Sequence, residues 1–147
     1  MSRHPTAIGP DATLLDALVL MRGQKVSGLP VVDPTGALVG VLSQRDVARE
    51  LSVEGGLPQA TDLFDLLLFD VSSDRVSDRE TLRRVLEETT VRDAMSTPPI
   101  WIAPHEPLEL AADMMRQNEI NRIPVLDRER LVGIVTRNDL VRALVRP

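Results

Sequence analysis

The chain contains its own near-copy, and a fold must accommodate both. Residues 10–33 align with 104–127 at a constant offset of 94. Pro10 meets Pro104, Leu14 meets Leu108, Ala17 meets Ala111, and Met21-Arg22 meets Met115-Arg116. Leu29-Pro30-Val31 then meets Ile123-Pro124-Val125, and Asp33 meets Asp127. One deletion in the following turn changes the offset to 93, after which Leu38-Val39-Gly40 meets Leu131-Val132-Gly133 and Ser43-x-x-Asp46 meets Thr136-x-x-Asp139. A register this long with a single gap marks a duplicated unit of about 45 residues. The expected organisation is a first unit over 1–52, a helical spacer over 53–89 and a second unit over 90–147.

Each unit reads as strand, helix, strand, strand, helix. Thr6 to Ile8 and Ile100 to Ile102 are short apolar stretches, each followed by a proline that cannot donate to a ladder. Thr13-x-x-Asp16 has capping-box spacing, and Leu14, Leu18 and Met21 recur at helical intervals, as do Leu108, Ala111 and Met115. Leu29 to Val32 and Ile123 to Leu126 are buried-strand runs. Asp33-Pro34-Thr35-Gly36 is turn chemistry leading to a hairpin partner over 37–42. Final helices start at Ser43 and Thr136. Neither unit buries both faces of its sheet alone, so the fold class expected is α/β (α+β): two pseudo-symmetric units packed sheet to sheet.

In the spacer, Gly55-Gly56-Leu57-Pro58 is a break, and Asp62 to Phe69 and Asp78 to Glu88 read as helices. Residues 63–69 are the most apolar stretch of the chain. Their plain reading is a helix packed on the core or on a second copy; the sharper one is a docking surface for another protein.

Composition removes several function classes. There is no cysteine, so disulfides, thiolate metal sites and cysteine nucleophiles are excluded, and two histidines leave little for a metal site. Twenty-two acids against 17 bases give a net charge of −5, so no broad basic face gathers nucleic-acid phosphates. Three aromatics, Phe64, Phe69 and Trp101, build no base-stacking platform. No apolar run approaches the roughly 18–20 residues that span a bilayer. No nucleophile with a base, phosphate-loop glycines or paired carboxylates at catalytic spacing stand out, so no enzyme activity is expected. A cytoplasmic protein that contacts neither nucleic acid nor membrane is expected.

The Ser43-x-x-Asp46 and Thr136-x-x-Asp139 motifs each follow a strand and open a helix, where backbone N–H groups and the helix dipole favour phosphate. The hydroxyl can donate to a phosphate oxygen, the carboxylate can accept both ribose hydroxyls, and Arg45 and Arg137 can neutralise phosphate charge. The same spacing is also a plain capping box. The two roles can coexist.

With Leu29-Pro30-Val31-Val32-Asp33, Gly40-Val41-Leu42-Ser43-x-x-Asp46 and their second copies, the chain resembles a tandem pair of CBS domains, a Bateman module, over about 6–52 and 90–147. The resemblance implies a pseudo-twofold pair with two clefts, and adenosine-containing regulatory ligands: AMP, ADP, ATP or S-adenosylmethionine. It also implies a homodimer, with no cofactor required. Carried over residue by residue, one cleft takes Thr6, Ala7, Ser27, Gly28, Leu29 and Pro30 with Ile134, Thr136, Arg137 and Asp139, and Arg122 reaching its phosphates. The second takes Ile100, Trp101, Asn121, Ile123 and Pro124 with Val41, Ser43, Arg45 and Asp46. Ser27-Gly28 is small and Asn121-Arg122 bulky, so the first cleft is the better expected site. Trp101 otherwise fills a core or interface, His4 is a solvated N-terminal histidine or a phosphate contact, and Arg83-Arg84 and Arg128-Glu129-Arg130 are solvated charges. The expected function is a stand-alone adenine-nucleotide sensor read by a partner protein. The alternative is a ligand-independent dimerisation or interaction module.

Overall fold

A computed structural model of the protein describes residues 2–3, 5–55 and 76–145. His4 and the apolar 63–69 segment lie outside the described residues.

The first unit comprises β1 (Ser2–Arg3), α1 (Leu14–Gln24), β2 (Gly28–Val32), β3 (Leu38–Ser43) and α2 (Gln44–Gly55). Helix α3 (Val76–Glu88) and the short α4 (Val91–Ala94) lead to α5 (Leu108–Asn118), β4 (Arg122–Asp127), β5 (Arg130–Thr136) and α6 (Arg137–Val145). Helix α1 starts at a capping box, as its sequence predicts: the Asp16 N–H donates to Thr13 Oγ1 at 3.1 Å and the Thr13 N–H donates to Asp16 Oδ2 at 3.4 Å. Both first helices end on a residue of positive φ, Lys25 and its repeat counterpart Glu119.

The repeat is carried into the sheets. β2 and β3 pair antiparallel from Gly28↔Ser43 to Val31↔Gly40, with an irregularity between Val31 and Val32. β4 and β5 pair from Arg122↔Thr136 to Val125↔Gly133, with the same irregularity between Val125 and Leu126. The lead-in to each unit crosses to the other unit's hairpin. β1 pairs with β5 through Ser2↔Ile134, and Ser96 pairs with Val41. This reciprocal exchange ties two small antiparallel sheets, one of three strands and one of two, into one fold.

One expectation is corrected here. Thr6 to Ile8 and Ile100 to Ile102 do not form full strands. Each contributes one parallel bridge, Ile8↔Val31 and Ile102↔Val125, because prolines at 5, 10, 99 and 104 leave little backbone that can donate. The helix expected over Asp78–Glu88 forms, and it packs on α1 and α2. Leu82 and Leu86 join Leu14, Leu18, Met21, Leu29, Val47 and Leu51 in the larger core cluster, together with Val91 and Ala94 of α4. The Val91 and Arg92 N–H groups donate to the carbonyls of Ala12 and Pro10 at 2.8 Å. The second unit has a smaller cluster of Ile102, Ala111, Met115, Ile123, Val125 and Val135. The duplicated unit is therefore asymmetric in packing. Leu51 is fully buried, whereas its repeat counterpart Leu144 on α6 is 86% exposed.

Candidate functional site

A cavity of about 550 Å³ opens between the halves, within the range of small-molecule pockets. Thr6, Ser27, Gly28, Leu29 and Pro30 form the wall from the first unit. Arg122, Ile134, Thr136, Arg137 and Asp139 form the wall from the second. Of the residues expected in this cleft, only Ala7 is not on its lining. Ala7 is half-buried outside it.

The lining also holds residues that sequence reasoning did not assign to it: Pro5, Gln24, Lys25, Val26, Asn138 and Arg142. The Asp139 to Arg142 spacing, three apart on one helix face, was a usable signal for Arg142. Lys25 came from no motif; it enters because α1 ends beside the cleft in a left-handed turn. Among the described residues the lining carries four cationic side chains, Lys25, Arg122, Arg137 and Arg142, against one carboxylate, Asp139.

The Ser/Thr-x-x-Asp motifs close as capping boxes. The Thr136 N–H donates to Asp139 Oδ2 at 2.8 Å and the Asp139 N–H to Thr136 Oγ1 at 3.2 Å. The Ser43 N–H donates to Asp46 Oδ2 at 2.9 Å and the Asp46 N–H to Ser43 Oγ at 3.2 Å. The Arg137 N–H, the first of α6, is taken by the Asn121 carbonyl at 2.8 Å. Fewer N–H groups remain unbonded at this helix start than its position suggests.

Of the second set, Asn121 lines the cleft around Asp139. Trp101, 49% exposed, lines a separate cavity with Ala37, Leu38 and His105, because Ile102 beside it takes the inward position. Ile123 is fully buried in the second core, and the Pro124 carbonyl accepts from the Ile102 N–H at 3.0 Å. Ile100 is half-buried. Val41 exchanges backbone hydrogen bonds with Ser96 at 3.1 and 2.9 Å. Arg45 Nη1 donates to the Glu119 carbonyl at 3.5 Å. Arg122 donates to Ser27 Oγ. Burial lowers the Arg122 pKa from its ordinary value, and the Asp46 charge opposes that shift.

An internally duplicated α/β fold with a cationic cleft between its halves defines a paired-repeat module. The CBS domain family model matches residues 1–53 and 91–146, and the chain belongs to the CBS domain family. It is 35% identical to the uncharacterized protein MJ1426 of Methanocaldococcus jannaschii, over 97% of this chain and 88% of that protein. It is 34% identical to the chloroplastic CBS domain-containing protein CBSX2 of Arabidopsis thaliana over 95% of this chain, and spans 58% of that protein's length. The crystal structure of CBSX2 in complex with AMP superposes with a TM-score of 0.67, covering 99% of this chain and 92% of that one at 28% identity. The CBS domain pair of protein MJ0100, in complex with 5-methylthioadenosine and S-adenosylmethionine, has the same fold at a TM-score of 0.67 and 22% identity, over 97% of this chain and 90% of that one. Among the described residues, no helix is long and apolar enough to cross a membrane.

Proposed function

We propose that the protein is a non-catalytic regulator that binds a phosphate-bearing adenosine ligand (AMP, ADP or ATP) in the cleft around Asp139. The observation that carries this reading is the excess of four cations over one carboxylate on that lining. Guanidinium groups recognise phosphate oxygens through paired, charge-assisted donors. S-adenosylmethionine brings a sulfonium cation to the same surface and is the weaker candidate. The AMP complex of CBSX2 supports the nucleotide class. Ribose hydroxyls would be accepted by the Asp139 carboxylate, while Ser27 and Gly28, which carry little side chain, let the base approach backbone.

Occupancy would signal by shifting the packing of the two halves, or of two copies of the chain, for a partner protein to read. The homodimer belongs to this reading. Val141, Leu144 and Val145 are exposed on α6, the repeat counterpart of the α2 face that α3 covers in the first unit. A cytoplasmic setting belongs to it as well. The second reading, a ligand-independent interaction module, is favoured by the two closed capping boxes.

A thermal-shift panel of AMP, ADP, ATP and S-adenosylmethionine separates the two. Ligand at a hundred times its dissociation constant adds about 2.7 kcal/mol, or roughly 5–10 °C at about 2–4 °C per kcal/mol. A shift with the phosphate-bearing members and a smaller one with S-adenosylmethionine is expected. A flat panel would favour the interaction module.

A further inference from the structure

Helix α3 covers one half of the repeat and leaves the equivalent face of the other half bare. In the first unit, Leu14 and Leu18 of α1 and Leu51 of α2 are buried, in one cluster with Leu82, Val85 and Leu86 of α3. The repeat counterparts of the first three are Leu108, Ala112 and Leu144. Leu108 and Leu144 are 47% and 86% exposed, and Ala112 is exposed beside them on α5. Val141 and Val145 extend the bare surface along α6. Apolar surface gathered in this way, on helices whose twins are packed, marks an interaction site.

The helix that fits this face is present in the same chain. Helix α3 covers the first unit with apolar residues at i, i+3 and i+4, namely Leu82, Val85 and Leu86. Helix α6 carries the same spacing outward in Val141, Leu144 and Val145. The α6 of a second copy therefore offers the second unit the stripe that α3 gives the first. A two-fold axis makes that exchange reciprocal, each α6 both covering and covered. The outer face of α3 offers nothing similar. Arg83, Arg84 and Glu87 are exposed there, with Arg83 paired to Glu87 at 3.2 Å, and charged residues are depleted from interface cores.

We infer that two copies of the chain join through their second units alone, α6 against α6 about a two-fold axis. The first units stay outside the interface because α3 has already covered them. The inference rests on the homodimer of the reading above and names its surface. None of the five bare residues lines the cleft around Asp139.

Light scattering on the protein as it elutes from a sizing column tests this, with AMP titrated into each variant. The wild type is expected at twice the mass of the chain. Leu144→Glu, a change at an exposed position, is expected at the mass of one chain with cooperative unfolding intact. Val141→Glu carries the same expectation. Arg84→Glu, on the outer face of α3, is expected to stay dimeric. A wild type that is monomeric at the highest concentration it tolerates overturns the inference and leaves the face to another segment of the chain or another protein. A Leu144→Glu dimer, or an Arg84→Glu monomer, overturns it by placing the interface elsewhere. A wild-type dimer that binds no AMP, ADP or ATP overturns the nucleotide reading and leaves the interface standing, so the two failures are told apart.

Discussion

Asp46→Ala should destabilise the protein by more than a lost helix cap. Asp46 closes a capping box, and losing such a cap costs about 1 kcal/mol, in a range of roughly 0.5–2. Asp46 additionally accepts from Ser43 Oγ and Ser96 Oγ, and its charge acts on the half-buried Arg122. Hydrogen bonds to charged groups contribute about 1.5–3 kcal/mol. Because these groups relax together rather than additively, a total of about 2–4 kcal/mol is expected for Asp46→Ala. At about 2–4 °C per kcal/mol, Asp46→Ala should melt roughly 4–16 °C below wild type. Urea unfolding with equal slopes would give the loss in stability directly. A loss of about 1 kcal/mol or less, the cost of a cap alone, would refute the assignment of Asp46 to structure.

Two further predictions follow from packing and from the turn. Leu51→Ala, fully buried under α3, should cost about 2–5 kcal/mol, while Leu144→Ala at 86% exposure should stay within about 0.5 kcal/mol in the monomer; comparable losses in urea unfolding would contradict the asymmetric packing. Asp33 is held below its ordinary pKa, first by the Thr35 hydroxyl and then by the Ala37 N–H. A group depressed in this way contributes stability above its unfolded pKa and loses it as pH falls through the lower folded value. Asp33→Asn should therefore be less stable than wild type at neutral pH, and the gap should narrow below the ordinary value of 3.8. A gap in melting temperature that stays constant from pH 7 to pH 3 would rule this out.

Much of the fold was legible because the repeat and the residue chemistry agree. Leu29-Pro30-Val31 and Ile123-Pro124-Val125 became β2 and β4, and the turn at Asp33 to Gly36 closed its hairpin. The cleft around Asp139 was legible from its motifs, since small Ser27-Gly28 and the Thr136-x-x-Asp139 start of α6 are local features. What escaped the sequence depends on contacts between distant segments. No spacing rule predicts that Leu82 and Leu86 complete the first core, or that Ser96 reaches Asp46 from fifty residues away. That Trp101 is half exposed while its neighbour Ile102 points inward follows from the pairing of Ile102 with Val125. Bulk at Asn121-Arg122 was visible, but its consequence was not. The position of the Arg122 guanidinium over Gly28 follows from how the two halves meet, which neither half encodes alone.

The most direct measurement of the central claim is the affinity for AMP of Asp139→Ala beside that of Asp46→Ala, each titrated well below its melting temperature. If the cleft around Asp139 is the nucleotide site, Asp139→Ala removes charged hydrogen bonds to the ribose worth about 1.5–3 kcal/mol, so affinity should fall roughly ten- to a hundredfold at about 1.4 kcal/mol per decade. Asp46→Ala should bind AMP within about twofold of wild type despite its lower stability, since its carboxylate does not line the cleft around Asp139. Equal losses of affinity in the two variants, or a loss confined to Asp46→Ala, would contradict the account.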